Sequence, residues 1–212
     1  MSASTTLHRR FAPSTRSHSP HRNRYFYGPK QWFECALLLA SLPVLALFFA
    51  ALFIVLLIPL RGRVLLAQAR TGRNGRVFKL YKFRTLRFAV DIPFNKATAR
   101  VAPETVFLGA WLRRTGLDEL PQVINVLKGD MHMVGPRPFI ERDLEHLSEE
   151  ESMQRHAVKP GMTGLWQVTR RYDETDLEFT EVDRKYIRTA SPWLDMRILY
   201  LTVAYALRQR GR

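Results

Sequence analysis

The sequence predicts a mixed α/β fold, in which a compact domain with a small sheet and several helices is attached to a membrane near its N-terminus. Three observations lead to this fold class. Residues 35–60 carry no charge and are mostly Leu, Ala, Val, Phe and Ile. Residues 64–83 alternate apolar and polar side chains around a glycine-containing turn, and several later stretches have apolar residues at helical spacing. At 212 residues the chain is long enough for one domain with small appendages.

The formal net charge of +14 indicates anionic partners, such as phospholipid headgroups, nucleotides, nucleic acid or prenyl phosphates. Nucleic acid is the weakest of these, because the arginines are plentiful but no recognisable reading motif is present. The one cysteine, Cys35, excludes an internal disulfide and a zinc cluster built on cysteines. Its position in the apolar run favours a small apolar role.

The N-terminal part divides into a basic tail and a membrane segment. Residues 1–30 are rich in Arg, His, Ser and Pro, which predicts a disordered tail. Residues 31–60 are long enough for a membrane helix, but Ser41-Leu-Pro43 interrupts the run, and an internal proline bends a helix. Both flanks are basic, so the positive-inside rule favours neither end on the outer side. From these features a re-entrant hairpin, which enters and leaves by one leaflet, and a kinked span are equally open.

Residues 61–207 form the predicted domain, followed by a basic tail at 208–212. Its basic N-terminal stretch, beside the membrane segment, favours contact with anionic lipid heads. The pattern predicts strands at 64–68 and 77–83 joined by a turn at 71–75, helices at 105–114, 118–128 and 192–207, a solvated acidic surface at 139–156, and a strand at 162–168. The terminal helix is apolar with a basic end, which suits either a membrane surface or packing on the domain.

The adjacent carboxylates of Asp118 and Glu119 are the first candidates for chemistry. Pro121 is best tolerated in a first helical turn, which places Asp118 at or next to a helix start. There the backbone N–H groups favour an ionised carboxylate, usable as a nucleophile or metal ligand. Asp118 could instead be only a helix cap, and Thr115 is a competing cap that would push Pro121 into the helix interior. Glu119 has no capping role in either arrangement.

Two groups of arginines could bind phosphate. Arg113 and Arg114 precede the carboxylates by about a turn, and either could bond a phosphate or neutralise the carboxylates. Arg137 stands between Pro136 and Pro138, which hold its backbone extended and make a stiff mount for the guanidinium. A rigid turn with an incidental arginine is the alternative.

Six motifs in order make the chain similar to the bacterial sugar transferase family, the monotopic phosphoglycosyl transferases that begin polysaccharide and glycoprotein assembly. The resemblance covers roughly residues 30–207. The motifs are Lys82-Phe-Arg-Thr85, Leu112-Arg-Arg-Thr-Gly-Leu-Asp-Glu-Leu-Pro-Gln122, Asn125-Val-Leu-Lys-Gly-Asp130, Val134-Gly-Pro-Arg-Pro138, Lys159-Pro-Gly-Met-Thr-Gly-Leu-Trp-Gln167 and Ser191-Pro-Trp-Leu-Asp195.

The resemblance implies an enzyme that moves a sugar-1-phosphate from a UDP-sugar to polyprenyl (undecaprenyl) phosphate and releases UMP. It assigns Asp118 as the nucleophile that attacks the β-phosphorus and carries a covalent phosphosugar, in a ping-pong scheme. It assigns Glu119 to Mg²⁺, which accords with the preference of this ion for carboxylate and phosphate oxygens. The phosphate-binding candidates it implies are Lys82, Arg84, Arg114, Pro136 and Arg137.

The resemblance also implies the membrane topology. The family's break of a re-entrant helix corresponds to Ser41 and Pro43, which favours the hairpin over the span. The expected location is then the cytoplasmic face of the bacterial plasma membrane, with amphipathic helices in the interface. The chain looks like the family's small, minimal form.

Three departures from the family's pattern stand out. Leu86 replaces a common methionine, a residue separates Ser41 from Pro43, and Val168-Thr-Arg-Arg171 replaces a common Gly-Arg pair. The last departure leaves the choice of sugar open. A non-catalytic, membrane-anchored scaffold for anionic ligands would also explain the charge, but it would have no use for Glu119 beside Asp118.

Overall fold

The computed structural model describes residues 24–86, 106, 108–140, 143–144, 147–172 and 179–208. The helices of these parts are α1 (Pro29–Leu57), α2 (Gly109–Thr115), α3 (Val123–Leu127), α4 (Glu149–His156), α5 (Leu165–Tyr172), α6 (Phe179–Thr189) and α7 (Pro192–Arg208). The strands are β1 (Leu65–Thr71), β2 (Val77–Phe83), β3 (His132–Val134) and β4 (Gly161–Thr163). Short 3₁₀ helices cover Arg24–Tyr27, Arg73–Gly75 and Leu117–Gln122. The mixed fold with small sheets is confirmed.

Strands β1 and β2 form the predicted antiparallel hairpin, in which Gln68 pairs with Leu80. Its turn uses left-handed backbone at Asn74 (φ +57°) and Gly75 (φ +71°), which suits residues of these types. Burial alternates along β1, so its even-numbered side chains from residue 66 to 70 are the more buried ones. This inward face becomes one wall of the site described below.

The second sheet is a parallel pair, β3 with β4, and it fixes the backbone just after β3. Gly135 donates to the carbonyl of Thr163 (2.9 Å), and Gly161 donates to the carbonyl of Pro136 (2.8 Å). A Cβ on Gly161 would lie 2.0 Å from the nitrogen of Gly135, so the approach requires glycine. The strand predicted at 162–168 is wrong beyond Thr163, because α5 begins two residues later.

Helix α1 packs one stripe of side chains on the domain along most of its length. The stripe has helical spacing and consists of Glu34, Leu38, Leu45, Phe49, Leu52 and Leu56. Leu38 and Leu45 join a core cluster with Leu80 and Val126. Further along, the ring centroid of Phe49 lies 4.9 Å from that of Phe83.

The opposite face of α1 is apolar and exposed. Trp32, Val44, Leu47 and Ile58 are each more than 70% exposed. In the described parts of the chain, α1 is the one helix long and apolar enough to cross a membrane. It is a single helix through Pro43, and the Ser41 hydroxyl donates to the carbonyl of Leu38 (3.0 Å). Two separate helices around a break are therefore not seen, and the re-entrant path stays a proposal.

A buried polar network joins the start of α1 to β3, α6 and α7. The ammonium of Lys30 donates to Asp195 and to the hydroxyl of Tyr186 (3.0 Å). Tyr186 donates to the other carboxylate oxygen of Asp195 (2.7 Å). Lys30 also lies 3.6 Å from Glu34, whose second oxygen is 2.7 Å from Nδ1 of His132. Burial lowers the pKa of His132, so a neutral ring that donates from Nδ1 fits this contact.

The predicted tail ends earlier than residue 30. Tyr25 donates to Asp195 (2.7 Å) and Phe26 is buried in the core beside Tyr186. The aromatic pair therefore belongs to the folded domain. Residues 1–23 and 209–212 lie outside the described residues.

The network predicts a large loss of stability when its cation is removed. The variant Lys30→Met leaves the carboxylates of Glu34 and Asp195 buried without their ammonium, which costs about 3–5 kcal/mol. Thermal unfolding in detergent measures this loss. The double variant Lys30→Met/Asp195→Asn regains part of it, because one of the two buried charges is gone.

The matched control is Lys185→Met, which removes an exposed ammonium on α6. Equal melting temperatures for Lys30→Met and this control would contradict the structural role of the network.

Candidate active site

Asp118 and Glu119 lie in the first turn of the 3₁₀ helix Leu117–Gln122. Gly116, in the left-handed region at φ +75°, ends α2 and begins this helix. Thr115 is buried, and its hydroxyl donates back to the carbonyls of Trp111 (2.9 Å) and Leu112 (3.1 Å). The helix has no side-chain cap, so neither Thr115 nor Asp118 caps it.

The Lys82 ammonium from β2 meets these carboxylates. Its Nζ lies 2.6 Å from Oε1 of Glu119, and the two side chains are 18% and 30% exposed. The hairpin thus brings a cation to the 3₁₀ helix from a position 37 residues earlier. Lys82 is the predicted phosphate ligand that the structure places directly at the carboxylates.

Asp118 titrates closer to neutrality than an ordinary aspartate. Burial and the negative charge of Glu119 raise its pKa from 3.8 to about 6. The charges of Lys82 and Arg113 and a backbone hydrogen bond act in the opposite direction. Burial outweighs the helix-start effect expected from the sequence. The carboxylate is still mostly ionised at pH 7, by about ten to one.

A cleft lies between the hairpin and the 3₁₀ helix, and its volume of about 390 Å³ includes space that is open to solvent. It is polar and mostly cationic. Its polar lining side chains are Arg70, Lys82, Glu119, Gln122, Arg137 and Gln167. Glu119 is the member of the carboxylate pair that lines the cleft, whereas its neighbour Asp118 does not. A cationic cleft beside a carboxylate pair suits a phosphorylated substrate.

Arg137 stands on a rigid mount, as the sequence predicts. Pro136 and Pro138 are buried while the Arg137 side chain is exposed, with its guanidinium 5.5 Å from the ring centre of Trp166. Arg155 donates to the carbonyl of Arg137 (2.5 Å). The role of Pro136 in these contacts is structural, since its carbonyl accepts from Gly161.

Two further contacts hold Arg155 itself in place. It pairs with Asp183 (2.5 Å), and its guanidinium carbon lies 3.5 Å from the ring centre of Phe139. Both charged residues are buried. The prediction of a wholly solvated surface at 139–156 is therefore wrong at this residue, which stabilises the mount of Arg137.

Three of the predicted phosphate ligands, Arg84, Arg114 and Pro136, do not line the cleft. Arg84 donates from Nε to the carbonyl of Arg63 (3.1 Å). Arg114 is exposed on the last turn of α2. Of the arginine pair, Arg113 is the one whose charge lowers the pKa of Asp118.

Three cleft residues escaped the sequence prediction: Arg70, Gln122 and Gln167. The alternation of β1 could have indicated Arg70, because it places residue 70 on the same hairpin face as Lys82. Gln122 is buried at the end of a motif noted for its acidic pair. Gln167 ends one of the six motifs, but no role was assigned to it and its segment was predicted as a strand. The side chains of Arg170 and Arg171, in the departure at 168–171, lie outside what the structure describes.

The carboxylate pair fits a magnesium ion. Among the described residues there is no group of three or more His, Cys, Asp or Glu side chains that could hold a metal. Mg²⁺ usually keeps several waters and binds one or two carboxylates together with substrate phosphates, so a larger group is unnecessary. The repulsion between Asp118 and Glu119, which helps to raise the pKa of Asp118, would fall on cation binding.

Comparison with known proteins places this site in a family. A model of the bacterial sugar transferase family matches residues 25–209. The match includes the hairpin, the acidic 3₁₀ helix, the mount of Arg137 and the C-terminal helices. The chain belongs to the bacterial sugar transferase family. The resemblance drawn from the six motifs is confirmed.

Three relatives illustrate this membership of the sugar transferases. The "undecaprenyl-phosphate glucose phosphotransferase" of Komagataeibacter xylinus is 39% identical, over 79% of this chain and 33% of the relative. The "UDP-glucose:undecaprenyl-phosphate glucose-1-phosphate transferase" of Escherichia coli K12 is 40% identical, over 67% and 32%. The "uncharacterized sugar transferase EpsL" of Bacillus subtilis is 40% identical, over 70% and 72%. The chain spans about a third of the length of the first two.

The raised pKa of Asp118 predicts that Asp118→Asn stabilises this sugar transferase. A folded-state pKa above the unfolded value means that ionisation destabilises the fold. The gain from the variant is therefore absent below about pH 4, grows up to about pH 6, and reaches at most about 3 kcal/mol above that. Thermal unfolding in detergent from pH 4 to 8 measures it.

Glu181→Gln, which neutralises an exposed carboxylate on α6, is the control and gives no such pH-dependent gain. A melting temperature of Asp118→Asn at or below that of the unaltered protein throughout this range would refute the prediction.

Proposed function

We propose that this chain is a phosphoglycosyl transferase that moves a sugar-1-phosphate from a UDP-sugar to undecaprenyl phosphate or a similar polyprenyl phosphate. The observation that carries the proposal is the carboxylate pair Asp118–Glu119 beside a cationic cleft, where the Lys82 ammonium donates to Glu119. The names of two of the relatives, those of Komagataeibacter xylinus and Escherichia coli, describe transferases acting on undecaprenyl phosphate and support it. The reaction would be the first membrane step of surface polysaccharide or glycoconjugate assembly.

Asp118 performs the first displacement. A carboxylate oxygen of Asp118 forms a bond to the phosphorus that bears the sugar, and the bond from this phosphorus to the bridging oxygen of the diphosphate breaks. The bridging oxygen leaves with the electron pair, as part of UMP. The step requires an ionised carboxylate, and the pKa of about 6 meets this requirement at neutral pH.

The lipid acceptor performs the second displacement. An oxygen of its phosphate attacks the same phosphorus, the bond to Asp118 breaks, and the carboxylate is regenerated. The products are a polyprenyl diphosphate sugar and the free enzyme. Positioning and charge neutralisation are most of what such transfers need, and Lys82 and Arg137 supply cations on the cleft wall.

Glu119, beside Asp118, would hold Mg²⁺ when the metal is bound. The metal would neutralise phosphate charge there. Lys82, which donates to Glu119, orients this carboxylate from the hairpin side.

Helix α1 would enter and leave the membrane from one side. Its packed stripe holds both halves of the helix on the same domain, while its exposed face is apolar. Basic residues flank it on both sides, so both ends are expected at the cytoplasmic face. Single cysteines at Trp32 and Ile58 in a Cys35→Ser background test this path. Labelling of the two positions from opposite sides of sealed vesicles would overturn it.

The reaction predicts sugar-dependent release of UMP. Detergent-solubilised protein with Mg²⁺ and undecaprenyl phosphate is given UDP-glucose, UDP-galactose and other UDP-sugars in turn. Release from one donor is expected, together with an Asp118-dependent phosphosugar adduct in the intact mass. Asp118→Asn shows neither, although it remains folded.

A non-catalytic scaffold would give a different result. It would bind anionic lipid in the presence of EDTA and release no UMP from any donor. That outcome would sink the transferase assignment.

The acid limb of the pH profile should report Asp118. Below about pH 6, or below a lower pH where bound Mg²⁺ relieves the repulsion from Glu119, kcat/KM for the donor falls about tenfold per pH unit, since it follows the ionised form in the free enzyme. Because the Lys82 ammonium lowers the pKa of Asp118, Lys82→Met moves this limb to higher pH. Steady-state UMP release from pH 4.5 to 8 measures the shift.

Lys79→Met is the matched control, since Lys79 is exposed on the opposite face of the same strand. We expect the acid limb of kcat/KM in Lys79→Met to fall at the same pH as in the unaltered enzyme. Identical limbs for Lys82→Met and the unaltered enzyme would exclude Asp118 as the group that titrates.

A further inference from the structure

We propose that Arg70 and Arg137 form one phosphate site, which first holds the phosphate of the departing UMP and then the phosphate of the lipid acceptor. This inference rests on the proposed transferase function and goes beyond it. It adds Arg70 as a substrate-binding residue and makes the two substrates use one site in succession.

The position of Arg70 carries the first step of the argument. It lies on the inward face of β1 and lines the cleft with Lys82 and Arg137. Its Nη1 donates to the carbonyl of Pro138 (3.3 Å) and its Nη2 to the side-chain oxygen of Gln68 (3.2 Å). The guanidinium is thus held in a fixed orientation beside the mount of Arg137.

One donor of this guanidinium is unsatisfied. The Nε of Arg70 is buried and has no hydrogen-bond partner. A buried donor without an acceptor is costly, and an anionic oxygen is the acceptor that a guanidinium binds best.

The charges around Arg70 also favour an anionic ligand. The acceptors bonded to its Nη1 and Nη2 atoms are a backbone carbonyl and an amide oxygen. Burial lowers its pKa most and the positive charge of Arg137 lowers it further, while the negative charges of Asp143 and Glu119 act in the opposite direction. A phosphate between the two guanidinium groups would replace their repulsion with two attractions.

Gln167 supplies a complementary observation in the same cleft. Its side-chain oxygen is buried and has no hydrogen-bond partner. Two residues that line the cleft therefore each carry one unsatisfied buried atom, a cationic donor on Arg70 and a neutral acceptor on Gln167. A nucleotide has both counterparts, since its phosphate accepts and its hydroxyl or base N–H groups donate.

The stereochemistry of the two displacements implies that the phosphate of UMP and the phosphate of the acceptor use the same site. In each step the attacking and leaving oxygens stand roughly in line through phosphorus. Asp118 attacks from one side and UMP leaves on the other. The acceptor must then displace Asp118 from the side that UMP vacated. A cationic site placed for the phosphate of UMP is therefore also placed for the acceptor phosphate.

The binding experiment uses UMP as the probe and the full-length Asp118→Asn protein in detergent, so that no turnover occurs. Calorimetry compares this protein with versions that also carry Arg70→Met, Arg70→Lys or Arg76→Met. We expect Arg70→Met to weaken UMP binding on the order of 10- to 100-fold, as for loss of a charged hydrogen bond. Arg70→Lys falls between, because it keeps a charge without the planar fork.

Arg76→Met removes an exposed arginine from the same hairpin and leaves the affinity unchanged. Arg70→Lys also guards against a folding defect in Arg70→Met, because it retains a cation in the cleft. Equal UMP affinity in Arg70→Met, Arg70→Lys and the parent protein would overturn the role of Arg70.

The acceptor experiment follows the phosphosugar adduct by intact mass. Enzyme with Asp118 intact is loaded with its donor and then mixed with increasing undecaprenyl phosphate. In Arg70→Met the half-saturating acceptor concentration is expected to rise by a factor similar to that for UMP. A loss of UMP affinity with unchanged acceptor saturation would overturn the shared site.

A failure of the proposed transferase function would give a different result from a failure of the shared site. If the unaltered enzyme binds UMP through Arg70 but forms no adduct with any UDP-sugar, the covalent transfer is wrong and the successive use of the site falls with it. The dependence of UMP binding on Arg70 would be unaffected by that result.

Discussion

The buried contact between Lys30 and Asp195 is the interaction on which the rest of the structure depends. It joins the first turn of α1 to α7 and, through Tyr186 and Glu34, to α6 and β3. Strand β3 is followed directly by Gly135, which lies against Gly161, and then by the mount of Arg137. A charged pair in a core is seldom favourable by itself, but here every oxygen of Asp195 has a donor, and the network fixes which elements meet.

The candidate site combines rigid parts from distant positions. The hairpin contributes Lys82 and Arg70, the 3₁₀ helix contributes the carboxylates, and the parallel pair contributes Arg137. Burial that would be unfavourable for stability raises the pKa of Asp118 toward neutrality, and a carboxylate of higher pKa is also a stronger nucleophile when ionised. The charges of Lys82 and Arg113 act against this rise, so the carboxylate is still mostly ionised at neutral pH.

Local signals in the sequence predicted the hairpin, the apolar helix, the terminal helix and the acidic pair, because alternation, turn residues and proline position act over a few residues. Long-range contacts decided the rest. Residues 165–168 are apolar enough for a strand, yet Leu165 and Val168 pack on the core as successive turns of a helix. Arg155 belongs to a polar stretch that resembles a solvated surface, and only Asp183, 28 residues later, makes its burial possible. The cleft joins three such distant segments. The local pattern of β1 puts Arg70 on the same hairpin face as Lys82, but no local pattern brings Gln167 to that face.

The stripe that α1 packs on the domain makes the helix part of the folding unit rather than a removable anchor. Its side chains belong to two of the hydrophobic clusters in the described structure, so a chain lacking this segment would lose core contacts. The other face of the same helix is apolar and exposed, and a copy that leaves this face in water presents it to proteases and chaperones. One helix therefore couples the folding of the core to the need to cover an apolar surface.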